Sequence, residues 1–314
     1  DQMKYNRKEK QEMRVEIDTH THTLASGHAY NTLNEMAQAA ADKGLKGLAI
    51  TEHAPEMPGT CHLFYFQNLR IVPRKKYGIE LLLGTELNIM NTRGEIDLPD
   101  SVLERLDIAI ASIHMPCFKD ERTIDNVTAA YEKVMEHPYV DIIGHPDDGR
   151  YEVDYEALVQ GAKEYGKILE VNNHSIVPNS FRQNARENDV KMLKFCMKYQ
   201  VPVVMDSDAH FDTHIAEFDA ARGLLEELDF WSRYEKLSLK LVNEMQIMEI
   251  KEELQRKVKN KVDKHQKEYL LREQLKVIRE ELGEDTTFSD ADEFEEACSK
   301  LDAPEEVKEK LHKE

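Results

Sequence analysis

Thiols and long apolar segments are scarce in this chain of 314 residues. The four cysteines lie far apart and form no CxxC pair, a usage typical of reduced thiols in the cytosol. No apolar run approaches the ~20 residues that span a bilayer. No charged segment followed by an apolar one indicates a secretion signal near the N-terminus. These absences predict a cytoplasmic protein without a membrane segment.

Positive charge is also in deficit. The chain carries 42 Lys and Arg against 61 Asp and Glu, which gives a formal net charge of −19. A surface of this sign argues against nucleic-acid binding as the main role. The excess is uneven, since residues 231–282 are slightly basic whereas residues 283–314 carry 4 basic and 12 acidic side chains. This distribution indicates that the chain has separate parts.

Residues 14–230 alternate short apolar segments with helical patterns. The predicted strands cover residues 15–18, 47–51, 81–87, 108–112, 140–144, 168–172 and 201–205. Seven βα units with nearly continuous apolar strands are typical of a parallel sheet that is covered on both faces. No dinucleotide-binding fingerprint follows any strand, and the strand ends share one chemistry. An α/β fold with a closed seven-stranded barrel is therefore favoured over an open sheet.

Two of the predicted helices have clear start and stop signals. Thr32 and Glu35 form a capping box, and Gly44 ends that helix. Asp154 is the predicted N-cap of a second helix, which ends at Gly166. Both helices lie between predicted strands, in agreement with a series of βα units.

Imidazole and carboxylate side chains follow six of the seven predicted strands. His20 and His22 come directly after the first strand, and side chains two residues apart on an extended segment point to the same side. In a barrel of parallel strands all carboxyl ends lie on one face, where active sites are built. The nine candidate metal ligands on that face are His20, His22, His28, His53, Glu86, His114, His145, Asp208 and His210.

Nine ligands are too many for one ion. Zinc takes about four ligands and keeps a position for water at catalytic sites, so about two or three ions are implied. Imidazole with carboxylate suits zinc, manganese or iron, and no cysteine lies near these strand ends. Closely spaced ions activate a water and clamp the attacking and leaving oxygens in phosphoryl displacement. The ligand set predicts a phosphoesterase in which a metal-bound hydroxide attacks phosphorus.

Seven segments of residues 14–230 resemble the PHP (polymerase and histidinol phosphatase) family, and within it the YcdX-type phosphatases. These segments are DTHTHTLASGHAYNTLNE, TEHAPEMPG, GTELNI, SIHMP, GHPDDGRYEVD, EVNNHS and DSDAH. The resemblance implies a distorted seven-stranded βα barrel with a trinuclear metal site. It also implies a phosphatase that acts on a small soluble phosphomonoester.

The same resemblance implies a division of the nine ligands among three ions. The three sets are His20, His22, Glu86 and Asp208 for the first ion, Glu86 as a bridge with His114 and His145 for the second, and His28, His53 and His210 for the third. The expected ions are Zn2+, with Mn2+ or Fe2+ as alternatives. Glu86, Asp208 and His210 are also expected to act in the catalytic step.

Further side chains near the strand ends are candidates for substrate contact. Arg70 and Arg74, in a loop after the second strand, could bind phosphate bidentately, although a solvated or ion-paired arginine explains them equally well. Four side chains could protonate a leaving group, contact the substrate or support a ligand: His62, His174, Asn172 and Asn173. The remaining histidines are interpreted as ordinary residues: His137, His214, His265 and His312.

The chain changes character at residue 231. Residues 231–282 contain no Gly or Pro, and their apolar side chains recur along one helical face. A continuous helix of this length would span roughly 78 Å, which cannot form part of a barrel. We predict a helical arm or coiled coil over 231–282, a short acidic helical tail over 283–314, and an N-terminal tail over 1–13.

The segment KEYLLREQLKVIREELGE resembles the helical part of the N-terminal region of Lon, the ATP-dependent protease. The resemblance covers residues 231–314 and implies an arm for self-association or partner contact. It does not imply proteolysis, because the chain contains no P-loop motif. Two families joined at one point indicate a hybrid, which is natural, engineered or a mis-joined reading frame.

Two other functions stay open beside a metal-dependent phosphomonoesterase. Amidohydrolases share the HxH pair, but they typically place a metal-bridging lysine at a strand end where this chain offers Glu86. Alternatively, the barrel is inactive and residues 231–282 serve as an interaction module. The intact ligand set favours the phosphoesterase.

Overall fold

Eight strands form the central sheet of the computed structural model, which describes residues 15–228, 267, 271–275, 277, 278, 295–297 and 300. The strands are β1 (Ile17–Asp18), β2 (Gly47–His53), β3 (Lys75–Lys76), β4 (Ile79–Asn88), β5 (Ile108–Ser112), β6 (Ile142–Ile143), β7 (Ile168–Asn172) and β8 (Val203–Asp206). Seven of them are parallel in the order β1-β2-β4-β5-β6-β7-β8, and β3 is an antiparallel addition to β4. The seven predicted parallel strands are confirmed, whereas β3 has no counterpart in the prediction.

The sheet curls into a nearly closed barrel. Just beyond β1 and β8, Thr21 and Ala209 form a parallel bridge, and the His22 N–H donates to the Ala209 carbonyl at 2.9 Å. The backbone N–H and Oγ1 of Thr19 both donate to Asp206 Oδ1, at 2.8 and 2.6 Å. Side chains thus join β1 to β8 where the backbone ladder is short. The barrel expected from the sequence is confirmed.

The predicted and observed strands differ mainly in length. β5 and β7 match the prediction, β2 and β4 are longer, and β1 and β6 have only two residues each. Ahead of β6, the side chain of Asp141 accepts a hydrogen bond from the Ala109 N–H at 2.9 Å. A carboxylate there takes a bond that a longer strand would form through its backbone.

Helices cover the outer face of the barrel. They are α1 (Leu33–Asp42), α2 (Leu63–Asn68), α3 (Asp100–Leu103), α4 (Ile124–Met135), α5 (Tyr155–Tyr165), α6 (Asn173–Ile176), α7 (Ala185–Tyr199) and α8 (Asp219–Glu227). Thr32 and Glu35 form the predicted capping box of α1, and Asp154 and Gly166 cap the two ends of α5 as predicted. The main apolar core lies between these helices and the strands.

The interior of the barrel changes from apolar to polar along the strands. Ile110 of β5, Ile142 of β6 and Val204 of β8 pack together in a small cluster of their own. Because side chains on one face of a strand recur at every second residue, the next position on the same side of β8 is Asp206, the last residue of that strand. Apolar side chains therefore fill one end of the barrel interior, and polar side chains line the end at which the strands finish.

The chain divides into two compact units, Asp1–Asn243 and Glu244–Glu314. In the second unit, the described residues are helical except residue 300, which is in a turn. Three predicted segments lie wholly or mostly outside the described residues: the tail over 1–13, the arm over 231–282 and the acidic tail over 283–314. No helix in the described part of the chain combines the length and the apolar character that a membrane span requires.

Candidate metal centre

The carboxyl ends of the barrel strands bring all nine predicted ligands to one place. His53 and Glu86 lie in β2 and β4, and the other seven follow β1, β5, β6 or β8 in the chain. Burial decreases outward across the group. His20, His22 and Glu86 are fully buried, whereas His28 is exposed.

Four of these side chains face one another closely. His20 Nε2 and His22 Nε2 are 3.1 Å apart. Glu86 Oε2 lies 3.5 Å from each of these nitrogens, and Asp208 Oδ1 lies 3.6 Å from the first and 3.4 Å from the second. Ligand atoms around a tetrahedral zinc ion at ~2.0–2.1 Å are about 3.3–3.4 Å apart. The two imidazole nitrogens therefore have, with each carboxylate oxygen in turn, the spacing of ligand atoms around one such ion.

Other imidazoles surround Glu86. Its Oε1 lies 3.1 Å from His114 Nε2 and 2.8 Å from His145 Nε2, and its Oε2 lies 2.6 Å from His53 Nδ1. His53 Nε2 in turn lies 3.1 Å from His28 Nε2. A carboxylate with imidazoles against both oxygens is placed to bridge two ions.

The ligand atoms also group in threes. Three sets each offer ligand atoms within 4.8 Å of one another: His20, His22 and Asp208, then His53, Glu86 and His114, then His22, His53 and His210. The last set differs from the expected third site, because it contains His22 where the expectation has His28. The ring centroids of His22 and His53 are only 4.3 Å apart. The first set, which contains His22, therefore adjoins the second set, which contains His53.

Hydrogen bonds to the outer ring nitrogens set the tautomers of three histidines. His20 Nδ1 donates to Glu170 Oε1 at 2.7 Å, and His114 Nδ1 donates to Asn88 Oδ1 at 2.8 Å. With Nδ1 engaged in this way, the Nε2 atom of each ring is the one that faces the other ligands. Partners of this kind orient the histidines of metal sites.

Ser26 sets the third tautomer. Its hydroxyl donates to Glu52 Oε2 at 2.5 Å, so its oxygen is left to accept from His22 Nδ1 at 3.0 Å. The same oxygen accepts from the His53 N–H at 3.1 Å. Glu52 is fully buried and therefore supports His22 indirectly, through one hydroxyl.

The two carboxylates of the cluster are ionised. Burial alone would raise the pKa of Glu86, but the surrounding imidazoles, with His114 the strongest, hold that pKa well below its usual range. Burial likewise opposes the ionisation of Asp208, yet His20 and Arg182 hold its pKa well below the ordinary value. Ionised carboxylates are the state that binds a cation.

Most of the imidazoles with a shifted pKa are neutral. Burial, followed by the neighbouring His53 and His210, lowers the pKa of His22 well below its usual value and that of His28 to about 4. His20 differs, since the surrounding carboxylates outweigh burial and raise its pKa well above the ordinary value. The centre of the cluster thus attracts positive charge, which is a further feature of a metal site.

Two residues of the cluster have unusual backbone conformations. His145 has a φ of 30° and Asp208 a φ of 53°, both in the left-handed region that costs energy for residues other than glycine. Glu170 Oε2 accepts from the His145 N–H at 2.5 Å, and Arg182 donates to Asp208 Oδ2 at 2.9 Å. Such strain is typical of positions that the surrounding structure holds for function.

The residues present fit a group of metal ions. The donor set of imidazole and carboxylate suits zinc, manganese or iron. His53 Nδ1 and Glu86 Oε2 are buried without a hydrogen-bond partner within the described residues, although they are close to each other. Buried polar atoms without a partner are costly, and a cation bound at the cluster would lower that cost.

Three predicted substrate-binding residues lie away from the cluster. His62 is exposed and caps α2, where its Nδ1 accepts from the Phe64 N–H at 3.2 Å. Arg70 lines a separate groove with Phe64. Arg74 pairs with Asp107 at 2.8 Å, just before β5 and so at the amino end of the barrel. The structure therefore gives these three side chains local roles, in correction of the expectation.

Other residues take their place around the cluster. A cavity of about 410 Å³ opens over the ligands, and residues that the sequence does not indicate line it: Arg150, Phe181, Arg182, His214, Phe211 and Tyr30. His174, a weaker candidate, also lines it. Asn172 instead forms side-chain hydrogen bonds with Arg182 and Asp208. Asn173 caps α8 by accepting from Ala220 and Ala221 N–H. His214 is therefore a cavity residue, contrary to its interpretation as ordinary.

A seven-stranded parallel barrel with nine imidazole and carboxylate side chains at its strand ends defines a metal-binding barrel protein. Residues 18–176 match the PHP domain. The chain belongs to the PHP domain family, and the family expected from the sequence motifs is confirmed. The finer resemblances, to the YcdX-type branch and to Lon, stay predictions.

The chain is similar to two relatives in sequence and to one solved structure in fold. It is 49% identical to a protein named probable phosphatase from Caldicellulosiruptor saccharolyticus, over 69% of this chain and 90% of that protein. It is 45% identical to another protein of that name from Caldicellulosiruptor bescii, over 69% and 89%. The structure of histidinol phosphate phosphatase from Lactococcus lactis with zinc, L-histidinol and phosphate has 14% identity and a TM-score of 0.48, over 68% and 93%.

Proposed function

We propose that the barrel is a metal-dependent phosphomonoesterase that acts on a small soluble phosphate and holds three ions. Zinc is the expected metal, with manganese or iron as alternatives. The observation that carries the proposal is the approach of Glu86 Oε2 and Asp208 Oδ1 to the Nε2 atoms of His20 and His22, at 3.4–3.6 Å. The names of relatives that are 49% and 45% identical support the reaction class.

The nine side chains divide among the ions around Glu86. The first ion is held by His20, His22, Glu86 and Asp208, the second by Glu86, His114 and His145, and the third by His28, His53 and His210. Contacts of Glu86 with imidazoles at both oxygens support its role as the bridge. The 3.1 Å between His28 Nε2 and His53 Nε2 supports the third set.

The bound ions would neutralise the phosphate and activate the attacking water. The chain itself supplies positive charge and orientation. Arg150 and Arg182 line the cavity, and Arg182 is buried against Asp208. Two side-chain bonds, from Arg182 to Asn172 Oδ1 at 3.0 Å and to Ser175 Oγ at 2.9 Å, fix this guanidinium. A fixed arginine favours a phosphate without reorganisation during the reaction.

His174 does not serve as the proton donor in this scheme. Burial lowers its pKa, so the imidazole is neutral near pH 7. It lines the cavity beside Arg182 and Asp208. We assign it to the wall of the substrate site instead.

The proposal is tested with metal-depleted protein that is reloaded with zinc or manganese. The reloaded protein is expected to release phosphate from phosphomonoesters and to leave a matched set of amides intact. Asp208→Asn should lower turnover by about a hundredfold or more, because it alters a ligand and the loss of a group that merely supports a ligand already costs about 10- to 100-fold. The exposed Asp219→Asn should match the native chain. Amide cleavage without phosphate release would support an amidohydrolase, and no turnover of either would support an inactive interaction module.

A further inference from the structure

Glu52 is a fully buried carboxylate that directly precedes the proposed ligand His53 in β2. Four groups donate hydrogen bonds to it. At Oε1 they are the Thr23 N–H at 3.2 Å, the Thr23 hydroxyl and the Tyr65 hydroxyl at 3.4 Å. At Oε2 they are the Ser26 hydroxyl at 2.5 Å and again the Thr23 N–H, at 3.1 Å. Within the described residues, no proposed ligand forms a hydrogen bond with this carboxylate, so its effect on the cluster must pass through a neighbour.

That neighbour is Ser26, whose hydroxyl uses its whole hydrogen-bonding capacity. A hydroxyl has one proton to donate and two lone pairs with which to accept. The proton goes to Glu52 Oε2. The oxygen accepts from His22 Nδ1 at 3.0 Å and from the backbone N–H of His53 at 3.1 Å. The carboxylate therefore fixes the direction of the bond to His22, because it takes the only proton that Ser26 could donate to the ring.

The direction of this bond decides which nitrogen of His22 is open to a metal ion. A neutral imidazole has one N–H and one lone pair. A proton on Nδ1 leaves the lone pair on Nε2, which lies 3.1 Å from His20 Nε2 and 3.4 Å from Asp208 Oδ1. A metal ion binds the ring nitrogen without a proton, and the hydrogen bond at the other nitrogen determines which one that is. The free nitrogen of His22 thus faces the other ligands of the first ion.

We propose that Glu52 is a positioning residue of the metal centre, which acts through Ser26 to keep the Nε2 lone pair of His22 available to the first ion. The inference rests on the proposed metal-dependent function and adds to it a residue that contacts neither ion nor substrate. The negative charge of Glu52 sets the direction of two successive hydrogen bonds. An uncharged residue of the same shape would not set that direction.

Glu52→Gln should reverse both bonds. The donors from Thr23 and Tyr65 hold the amide oxygen at the Oε1 position, so the NH2 group lies opposite Ser26. The Ser26 oxygen then accepts from this NH2 group and from the His53 N–H, and its proton is left to donate to His22 Nδ1. The ring proton of His22 is thereby moved to Nε2, where an incoming zinc ion must displace it.

The zinc affinity of the full chain, measured by competition with a chromogenic chelator, tests this reversal. Glu52→Gln is expected to weaken the first ion about 100-fold and Ser26→Ala only about 10-fold, the two ends of the range for groups that support metal ligands. The variant that Ser26→Ala alters in direct contact with His22 should thus be the milder one. Glu164→Gln, on the exposed side of α5, should match the native chain.

The double variant Glu52→Gln with Ser26→Ala separates a directed hydrogen bond from general damage. It should bind zinc as Ser26→Ala does, and so about tenfold more tightly than Glu52→Gln alone. The reason is that no hydroxyl remains to pass the reversal on to His22. A residue that merely packs the interior would give a double variant at least as weak as Glu52→Gln, and that result would overturn the proposal.

NMR of the metal-free chain identifies the protonated nitrogen of His22 directly, through the 15N–1H couplings of its ring. Nδ1 is expected to carry the proton in the native chain, and Nε2 in Glu52→Gln. The same nitrogen in both proteins would overturn the proposal. This readout needs no bound ion. A native chain that binds no zinc and hydrolyses no phosphomonoester would therefore overturn the proposed function, while the exchange of nitrogens would still support the role of Glu52.

Discussion

At the scale of single residues, the cluster depends on carboxylates that hold its members in place. Glu170 accepts from His20 Nδ1 at 2.7 Å and from the backbone N–H of His145 at 2.5 Å. The second bond stabilises a residue whose φ lies in the left-handed region. One buried side chain therefore fixes two of the proposed ligands.

Replacing Glu170 by glutamine is expected to weaken metal binding by about 10- to 100-fold. The amide keeps one acceptor oxygen, but its NH2 group then faces either the His20 Nδ1–H or the His145 N–H, so one donor loses its partner. Competition with a chromogenic chelator measures the affinity. Glu164→Gln, on the exposed side of α5, is the matched control. Equal affinities of the two variants would remove Glu170 from the account.

At the scale of elements, the seam between β1 and β8 is held by a side chain. Asp206 Oδ1 accepts both the backbone N–H and the hydroxyl of Thr19, and the carboxyl is fully buried. Burial, together with Glu170 and Asp18, raises the pKa of Asp206 well above its usual value. A protonated carboxyl in this position is close in charge and shape to an amide.

Two substitutions of Asp206 are therefore expected to differ. Asp206→Ala leaves the buried Thr19 N–H without its acceptor and should lower the free energy of unfolding by about 2–3 kcal/mol. Asp206→Asn retains the acceptor oxygen and should cost less than about 1 kcal/mol. Urea unfolding followed by circular dichroism gives both values. An equal loss in the two variants would show that the seam does not depend on this oxygen.

Sequence patterns predict the strands and the cluster well because both follow from local rules. Strand ends in a parallel barrel share one face, so histidines and carboxylates after successive strands must meet. The cavity walls could not be predicted in this way, because Phe181 and Arg182 lie in the loop between α6 and α7, where no periodicity applies. Arg74 was expected to contact the substrate, but it pairs with Asp107 instead. This tertiary contact is one that sequence spacing does not indicate.

At the scale of the whole molecule, the cluster lies within one compact unit. All nine proposed ligands belong to Asp1–Asn243. The motifs of residues 231–282 predict a helix whose apolar face needs a second surface to bury against. The two units are thus expected to have separable roles.

Cutting the chain after Asn243 should leave metal content and phosphatase turnover nearly unchanged. The full chain should sediment as an oligomer, because the apolar face of the predicted arm would be buried by self-association, whereas the fragment should sediment as a smaller species. Sedimentation velocity and elemental analysis of both proteins test this division. Loss of metal from a fragment that still shows a cooperative unfolding transition would contradict it.

The most direct test of the metal centre is the number of ions in the native chain and in Glu86→Ala. Elemental analysis after gentle purification should give about three ions per chain, since nine ligands with one bridge serve three sites of three or four ligands each. Glu86→Ala should lose more than one ion, because this carboxylate contacts imidazoles of more than one proposed site. One ion or none in the native chain, or the loss of a single ion in the variant, would contradict the trinuclear centre.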